Sequence, residues 1–377
     1  MDNIRIKLAI VGTRGIPARY GGFETFAQEL SLRLTPKEID VSVYCDDSKE
    51  KINLYENVNL KYASCTKDQN PLKYYKESID LAVKDGNDII LTCGAGGSLA
   101  ILYHRLHKSK AIFITNTDGI EYKRTKWNFI IRIGVRFVGE FMAVLYSNYL
   151  IADSVGIKQY LLKNYPFITP SKIKVIEYGA YIISKFNKEH LDKYNLLPND
   201  YYLVVSRLEP ENNIEMIING FLKSKTDKKL VIIGNIKGTA YIKSLLVKKS
   251  DKVVFIGGVY DAMVLNSLRF GCMAYLHGHS VGGTNPSLLE AMGSGNIILA
   301  HDNVFNREVT DNTMFYFISD ETCAEKINMI ENLPENDIKE KKELSIRKVT
   351  EYYNWERIAD EYLKFFGMIY KNRIIKL

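Results

Sequence analysis

The sequence predicts an α/β protein made of two Rossmann-like, doubly wound parallel-sheet domains facing a cleft. Three observations carry this. Short apolar runs alternate with stretches whose apolar residues recur at helical spacing. The alternation pauses once, from Tyr181 to Asp200, in polar, irregular sequence that contains Pro198. It then restarts with the same rhythm.

In the first half, Ile6 to Val11 reads as a strand. Phe23, Phe26, Ala27, Leu30 and Leu34 follow at the three- and four-residue steps of a helix face. Val41 to Tyr44, Asp88 to Thr92 and Ala111 to Thr115 are further strands. After the pause come YYLVVS, a helix from Asn212, KKLVIIG, a helix from Thr239, KVVFIGG and a helix from Asp261. CMAYLHG, a helix from Pro286 and NIILA complete the second unit. A last amphipathic helix begins near Trp355. The limits drawn are residues 1–185, 186–354 and 355–377.

The bulk properties exclude several classes. The 377 residues are enough for two domains with sizeable cores. The net charge of +7 is mild and spread along the chain. It suits phosphate groups or an anionic membrane surface, and it lacks the dense basic patch of a nucleic-acid binder. Five singly scattered cysteines with no CxxC pair predict a reducing cytoplasm and no metal cluster. The apolar run near Met1 is too short for a secretion signal.

The segment from Asn128, NFIIRIGVRFVGEFMAVLYSNYLIAD, is apolar but broken by Arg132, Arg136 and Glu140. Three charges near its centre make spanning a bilayer costly. It predicts a largely buried helix. The second reading is a helix lying on a membrane surface, which Trp127 and the basic Lys123, Arg124 and Lys126 favour.

Ligands of open parallel sheets bind beyond the carboxyl ends of strands, so loops after strands are where chemistry is expected. HGHSVGGTNPSLLEAMGSG, residues 277–295, follows CMAYLHG. Asn285 is a good N-cap and Pro286 suits the first helical position. The backbone N–H groups of Ser287 and Leu288 would then be free, and a helix start with free N–H groups attracts anions. Glycines at 282 and 283 let a phosphate come close. Glu290, one turn in, could reach the hydroxyls of a ribose beside that phosphate. The plain alternative is a capped helix with a surface glutamate.

Arg207, in SRLEPENNIEMI, stands at a strand end, where a guanidinium can grip phosphate oxygens in bidentate fashion. With the first motif it suggests a diphosphate clamp. VGTRGIPARYGGFETF, residues 11–26, is glycine-rich but is not GxGxxG; it predicts a mobile loop closing over a ligand. TNTDGIEYKRTKWN, residues 115–128, mixes the acids Asp118 and Glu121 with bases and aromatics, a mixture that meets sugars. In FIGGVY, Gly257 could offer backbone groups to a base edge while Tyr260 stacks beside it. His277, His279 and His301 lack the spacing of a zinc site, and no DxD pair stands at a strand end; no metal and no cofactor is expected.

Together these motifs resemble the family 4 glycosyltransferases, which have the GT-B fold, over nearly the whole chain. GTRGIPARYGGFETF, NTDGIEYKRTKW, SRLEPENNI and GGTNPSLLEAM are most similar to the bacterial rhamnosyltransferases of capsule and cell-wall polysaccharide synthesis. The resemblance implies retaining transfer of L-rhamnose from dTDP-L-rhamnose to a saccharide on undecaprenyl diphosphate. It implies an acceptor-binding first domain, a nucleotide-sugar-binding second domain and a last helix that crosses back to the first. It also implies a cytoplasmic enzyme, peripheral on the inner face of the cell membrane.

By matching position, the resemblance assigns Arg207 to the diphosphate and Glu290 to the ribose. Gly283, Thr284, Asn285, Pro286, Ser287 and Leu288 would line the phosphates. Gly15, Gly21, Gly22 and Glu24 would face the donor from the first domain. Asp118 would stand near the transferred sugar and the acceptor hydroxyl, with Glu121 and Arg124 beside it. Two departures from the wider family agree with the rhamnosyltransferase subgroup. Gly282 replaces a glutamate eight residues before Glu290, and Asn212 replaces a lysine.

No carboxylate has a context that demands a nucleophile's role, so a front-face transfer is the expected mechanism. Rival readings are a UDP-hexose donor, a sugar-nucleotide epimerase, a dinucleotide oxidoreductase and a non-catalytic binder. The missing GxGxxG counts against the oxidoreductase. The acceptor-like cluster around Asp118 counts against the epimerase.

Overall fold

The computed structural model describes residues 5–19, 21–37, 39–48, 50–117 and 134–375, the side chain of Val135 excepted. Asp118, Glu121 and Arg124, with Trp127, Arg132 and the basic cluster beside them, lie outside the described residues.

The chain divides into two compact units. The first runs to Tyr178 and takes back Trp355–Leu377; the second holds Gly179–Asn354. In the first, β1 (Ile6–Val11) is flanked by β2 (Ile39–Cys45) and β5 (Ile89–Cys93). β3 (Leu54–Tyr55), β4 (Val58–Tyr62), β6 (Ile112–Asn116), β7 (Tyr149–Ala152) and β8 (Ile173–Val175) complete an eight-stranded sheet. Its order is β3-β4-β2-β1-β5-β6-β7-β8, and only the β3–β4 pair is antiparallel. β1 and β5 are apolar almost throughout, as strands covered on both faces must be.

Helices α1 (Gly22–Leu34), α2 (Pro71–Lys84) and α3 (Ser98–Leu106) follow β1, β4 and β5. A π-helical turn, Val135–Phe141, leads into α4 (Met142–Tyr146), and α5 (Val155–Asn164) follows β7. The expectation of one largely buried helix from Asn128 fails over its described part: the segment ends in the strand β7, and the helical turn before it is exposed. Phe137 is 64% exposed, Val138 is exposed too, and Arg136 lies on the surface. Glu140 turns inward and accepts from the hydroxyls of Tyr160 (2.7 Å) and Tyr165 (2.6 Å) on α5 and beyond it. Among the described residues no helix is long and apolar enough to cross a membrane.

The second unit is a six-stranded sheet in the order β11-β10-β9-β12-β13-β14, parallel throughout. Its strands are β9 (Tyr201–Val205), β10 (Lys229–Ile233), β11 (Val253–Gly257), β12 (Ala274–His277), β13 (Ile298–His301) and β14 (Phe315–Phe317). After α6 (Glu189–Asp192), helices α7 (Ile214–Lys223), α8 (Ala240–Leu246) and α9 (Ala262–Gly271) alternate with the strands. So do α10 (Pro286–Gly293), α11 (Val304–Thr310) and α12 (Asp320–Glu331), before α13 (Glu335–Tyr352) ends the unit.

The core of this unit joins Val204, Ile217, Phe221, Ile232, Leu276 and Leu299. Thr239 and Asp261 cap α8 and α9 with their side chains. The helix expected from Asn212 begins instead as a 3-10 turn, Pro210–Asn212; Asn213 is left-handed, and α7 starts at Ile214.

The final helix, α14 (Trp355–Ile374), belongs to the first unit. Its apolar face buries Tyr362 and Phe366. Tyr362 meets Phe26 of α1 at 5.5 Å, and Phe365 meets Tyr149 at 5.5 Å. Arg33–Glu356 (2.8 Å) and Lys37–Asp360 (2.5 Å) border the contact.

Candidate functional site

Open parallel sheets bind ligands where the strand order reverses direction. In the second unit that point lies between β9 and β12, because β10 was laid on one side of β9 and β12 on the other. The loop carrying Arg207 leaves β9, and residues 278–285 leave β12. The two loops are stitched together. Asn213 Nδ2 donates to the Gly278 carbonyl (2.7 Å), and both the N–H and the hydroxyl of Ser280 donate to the Glu211 carbonyl (3.0 and 2.8 Å). At Gly278 no side chain fits: a Cβ would lie 2.0 Å from the Asn212 carbonyl oxygen.

Arg207 stands free of that stitching. Its side chain is 55% exposed, with Glu209 the acid beside it at 3.6 Å. Asn212, where the resemblance to the family 4 glycosyltransferases would expect a lysine, is buried. Its amide donates to the Arg207 carbonyl (2.7 Å), so it holds the backbone from which the guanidinium extends.

Asn285 is the N-cap of α10 and Pro286 its first residue. The expectation of free N–H groups is corrected at both positions. Ser287 N–H donates to Asn285 Oδ1 (3.2 Å), and Leu288 N–H donates to the Asn285 carbonyl (3.1 Å). The cap that starts the helix also occupies its donors. The Ser287 hydroxyl donates to the same Oδ1 (3.0 Å), so this oxygen marks a point where two donors converge.

Gly282 has φ +136° with open space around it, a conformation that suits glycine. Gly282 and Gly283 line a small depression with His279, Asn285, Asn303 and Asn306. Thr284 is buried. Gly257 ends β11 with φ +82°. Tyr260 is 74% exposed, and its ring folds back over Gly258, where a Cβ would lie 2.9 Å from it.

Sequence reasoning missed two features. Glu290 is held from below by the buried Arg269 of α9 through an ion pair from Nη2 to Oε2. The partners are far apart in sequence, and an arginine in LNSLRFG reads as a surface residue. The second feature is a histidine cluster. His277 is wholly buried and stacks on His279 at 4.3 Å and 9°. Burial first, then His279 and His301, holds its pKa well below the usual 6.5. His301 joins them from the neighbouring strand β13, which sequence spacing cannot show. No group of ligating side chains able to hold a metal occurs among the described residues.

In the first unit the order reverses between β1 and β5. Gly12 (φ +90°) passes so close to β5 that a Cβ would lie 2.6 Å from the Cys93 carbonyl oxygen. Gly15 (φ +115°) crosses Cys45 equally closely. The expected mobile loop is instead tied at many points. Glu24 is buried, and its Oε1 accepts the Arg14 N–H (2.8 Å). Lys67 donates to the Gly12 carbonyl (2.5 Å), Gln28 accepts the Ala18 N–H (2.8 Å), and Tyr74 donates to the Thr13 carbonyl. Gly21 caps α1, with the Thr25 N–H on its carbonyl (3.1 Å), and Gly22 begins the helix. Glu24 therefore clasps the loop, whatever else it contacts.

Residues 187–345 match the family described as "Glycosyl transferases group 1". Residues 6–181 match a "Domain of unknown function (DUF1972)". No curated protein matched the sequence.

Among solved structures, sucrose-phosphate synthase from Thermosynechococcus elongatus superposes with a TM-score of 0.80 at 14% identity, over 98% of this chain and 100% of that one. A glycosyltransferase from Rickettsia africae gives 0.69 at 18%, over 98% and 99%. Anabaena HepE in complex with UDP-glucose gives 0.73 at 12%, over 97% and 100%. These likenesses show the fold: two Rossmann-like domains of the GT-B kind. The group 1 domain on that fold supports a glycosyltransferase of the family 4 type.

Proposed function

We propose that this chain is a retaining rhamnosyltransferase that moves L-rhamnose from dTDP-L-rhamnose to a saccharide on undecaprenyl diphosphate in polysaccharide synthesis. The observation that carries the donor half is the crevice between β9 and β12. It gathers an exposed guanidinium at Arg207, a glycine-lined helix start at Gly282–Ser287 and an outward carboxylate at Glu290.

An anion oxygen arriving there would take the place of Asn285 Oδ1 and accept from the N–H and hydroxyl of Ser287. Departure of dTDP builds charge on the leaving phosphate, and each well-placed donor there stabilises it by roughly 3–4 kcal/mol. In a front-face transfer the bond from the anomeric carbon to the phosphate oxygen breaks. The acceptor oxygen bonds to the same face, and the acceptor proton passes to the leaving phosphate. Asp118 would orient the acceptor. Arg207 and the helix start would carry the charge without a metal.

A UDP-hexose donor is the second reading, favoured by the UDP-glucose complex of the structurally similar HepE. The lipid-linked acceptor places the enzyme on the inner membrane surface rather than on nucleic acid. The exposed Leu99, Tyr103 and Leu106 of α3, with Phe137 and Val138 beside them, support that placement. The deciding experiment is calorimetric titration of dTDP and of UDP into wild type and Glu290→Ala. Tight binding of dTDP, weakened about tenfold or more in the variant, is expected from loss of a charge-assisted hydrogen bond. Binding of UDP alone replaces the donor. Binding of neither sinks the assignment.

A further inference from the structure

We infer that Arg269 is a positioning residue: it aims the Glu290 carboxylate at the sugar of the donor nucleotide. The inference rests on the reading of Glu290 given above. Arg269 lies in the last turn of α9, only 3% exposed, whereas Glu290 is 37% exposed. A guanidinium cannot lose its charge, and a buried one needs a partner. Glu290 is the carboxylate that pairs with it. Asn266 Oδ1 accepts weakly from Nη1 (3.4 Å), and Arg269 Nε has no partner among the described residues.

The pair is asymmetric. The arginine is the fixed member, because its backbone is locked as well: its carbonyl accepts from Asn296 Nδ2 (2.7 Å) and from the Cys272 thiol (3.1 Å). It grips Oε2 from the protein side. No group among the described residues bonds Oε1, which leaves that oxygen for an incoming hydroxyl. A long carboxylate side chain otherwise samples several rotamers, and holding one reduces the ordering cost at binding. Tyr275 extends the frame. Its hydroxyl donates to the Val205 carbonyl (3.0 Å) and contacts Ser287, so β9, β12 and the start of α10 are braced together beside the pair.

The test measures how strongly a single sugar hydroxyl is felt. Whichever of dTDP or UDP binds the wild type is compared with its analogue lacking the 3′-hydroxyl, by calorimetry on the full chain. Four proteins are titrated: wild type, Glu290→Ala, Arg269→Met and Arg269→Lys. The wild type should prefer the hydroxyl-bearing nucleotide about tenfold. Glu290→Ala and Arg269→Met should both bring the ratio near one, and Arg269→Lys, which keeps the charge, should restore part of it. A general loss of stability would weaken both nucleotides alike and leave the ratio unchanged; thermal melts of each variant check folding. If Arg269→Met does not fold, Arg269→Lys decides: a ratio below wild type supports positioning, and a full ratio overturns it. A full ratio in Arg269→Met overturns the role of Arg269 and leaves that of Glu290 standing. A wild-type ratio of one overturns both.

Discussion

At the scale of single residues, the site depends on where backbone must pass close to backbone. Gly278 is the sharpest case: a Cβ there would lie 2.0 Å from the Asn212 carbonyl oxygen. Gly278→Ala must push apart the loops that carry Arg207 and the depression around Gly282. We expect nucleotide binding to fall about tenfold or more by calorimetry, from misplaced phosphate donors worth about 1.5–3 kcal/mol each. An unchanged affinity would show that the stitching of the two loops is irrelevant to the ligand. Asn285 and Pro286 were legible from residue type and spacing alone, because capping is a local interaction. The engagement of Ser287 and Leu288 by that same cap was not, since a pattern shows which donors a helix leaves open and not which atom fills them. Arg269 was invisible for the opposite reason: its meaning depends on a partner on another helix that only the fold brings near.

At the scale of elements, most strands covered on two faces were legible as apolar runs; β7 was not, because its YLIA continues the apolar segment read as a helix from Asn128. β3 and β14 were not singled out because two and three residues hold too little pattern, and β4 (VNLKY) was not because polar residues break its apolar run. The π-helical turn at Val135–Phe141 escaped because its period is not that of an α-helix. That turn and α3 present Leu99, Tyr103, Leu106, Phe137 and Val138 to solvent, with Arg105, Lys108 and Arg136 exposed nearby in sequence. Apolar side chains beside cations match an anionic lipid surface. Sedimentation with phosphatidylglycerol vesicles should therefore carry the wild type down. The Leu106→Asp, Phe137→Asp double variant should lose at least tenfold in partitioning, since each large apolar group contributes about 1.5–3 kcal/mol when buried. Equal sedimentation of the two proteins would remove this face from any membrane role.

At the scale of the whole molecule, acid should weaken the fold. His277 is buried and neutral, with its pKa held below 6.5, and His301 is shifted the same way by burial. In the unfolded chain both take up a proton near pH 6.5, so the unfolded state binds more protons below that value. Their contribution to stability is therefore complete above about pH 6.5 and is lost as pH falls below it. Urea midpoints should drop between pH 7 and 5.5, and His277→Phe should flatten that slope. A variant with the wild-type slope would assign the acid sensitivity elsewhere.

The return of α14 to the first unit has a consequence for how the protein is made. Tyr362 and Phe366 are interior residues of a domain whose other parts leave the ribosome before the whole of Gly179–Asn354. Until that helix has been synthesised, the place beside Phe26 stands open, and the earlier domain waits with an unfinished wall while the later one can already close. A premature stop anywhere in the second half thus damages both halves, and a chaperone would find its longest-lived client surface in the part of the chain made first rather than in the part made last.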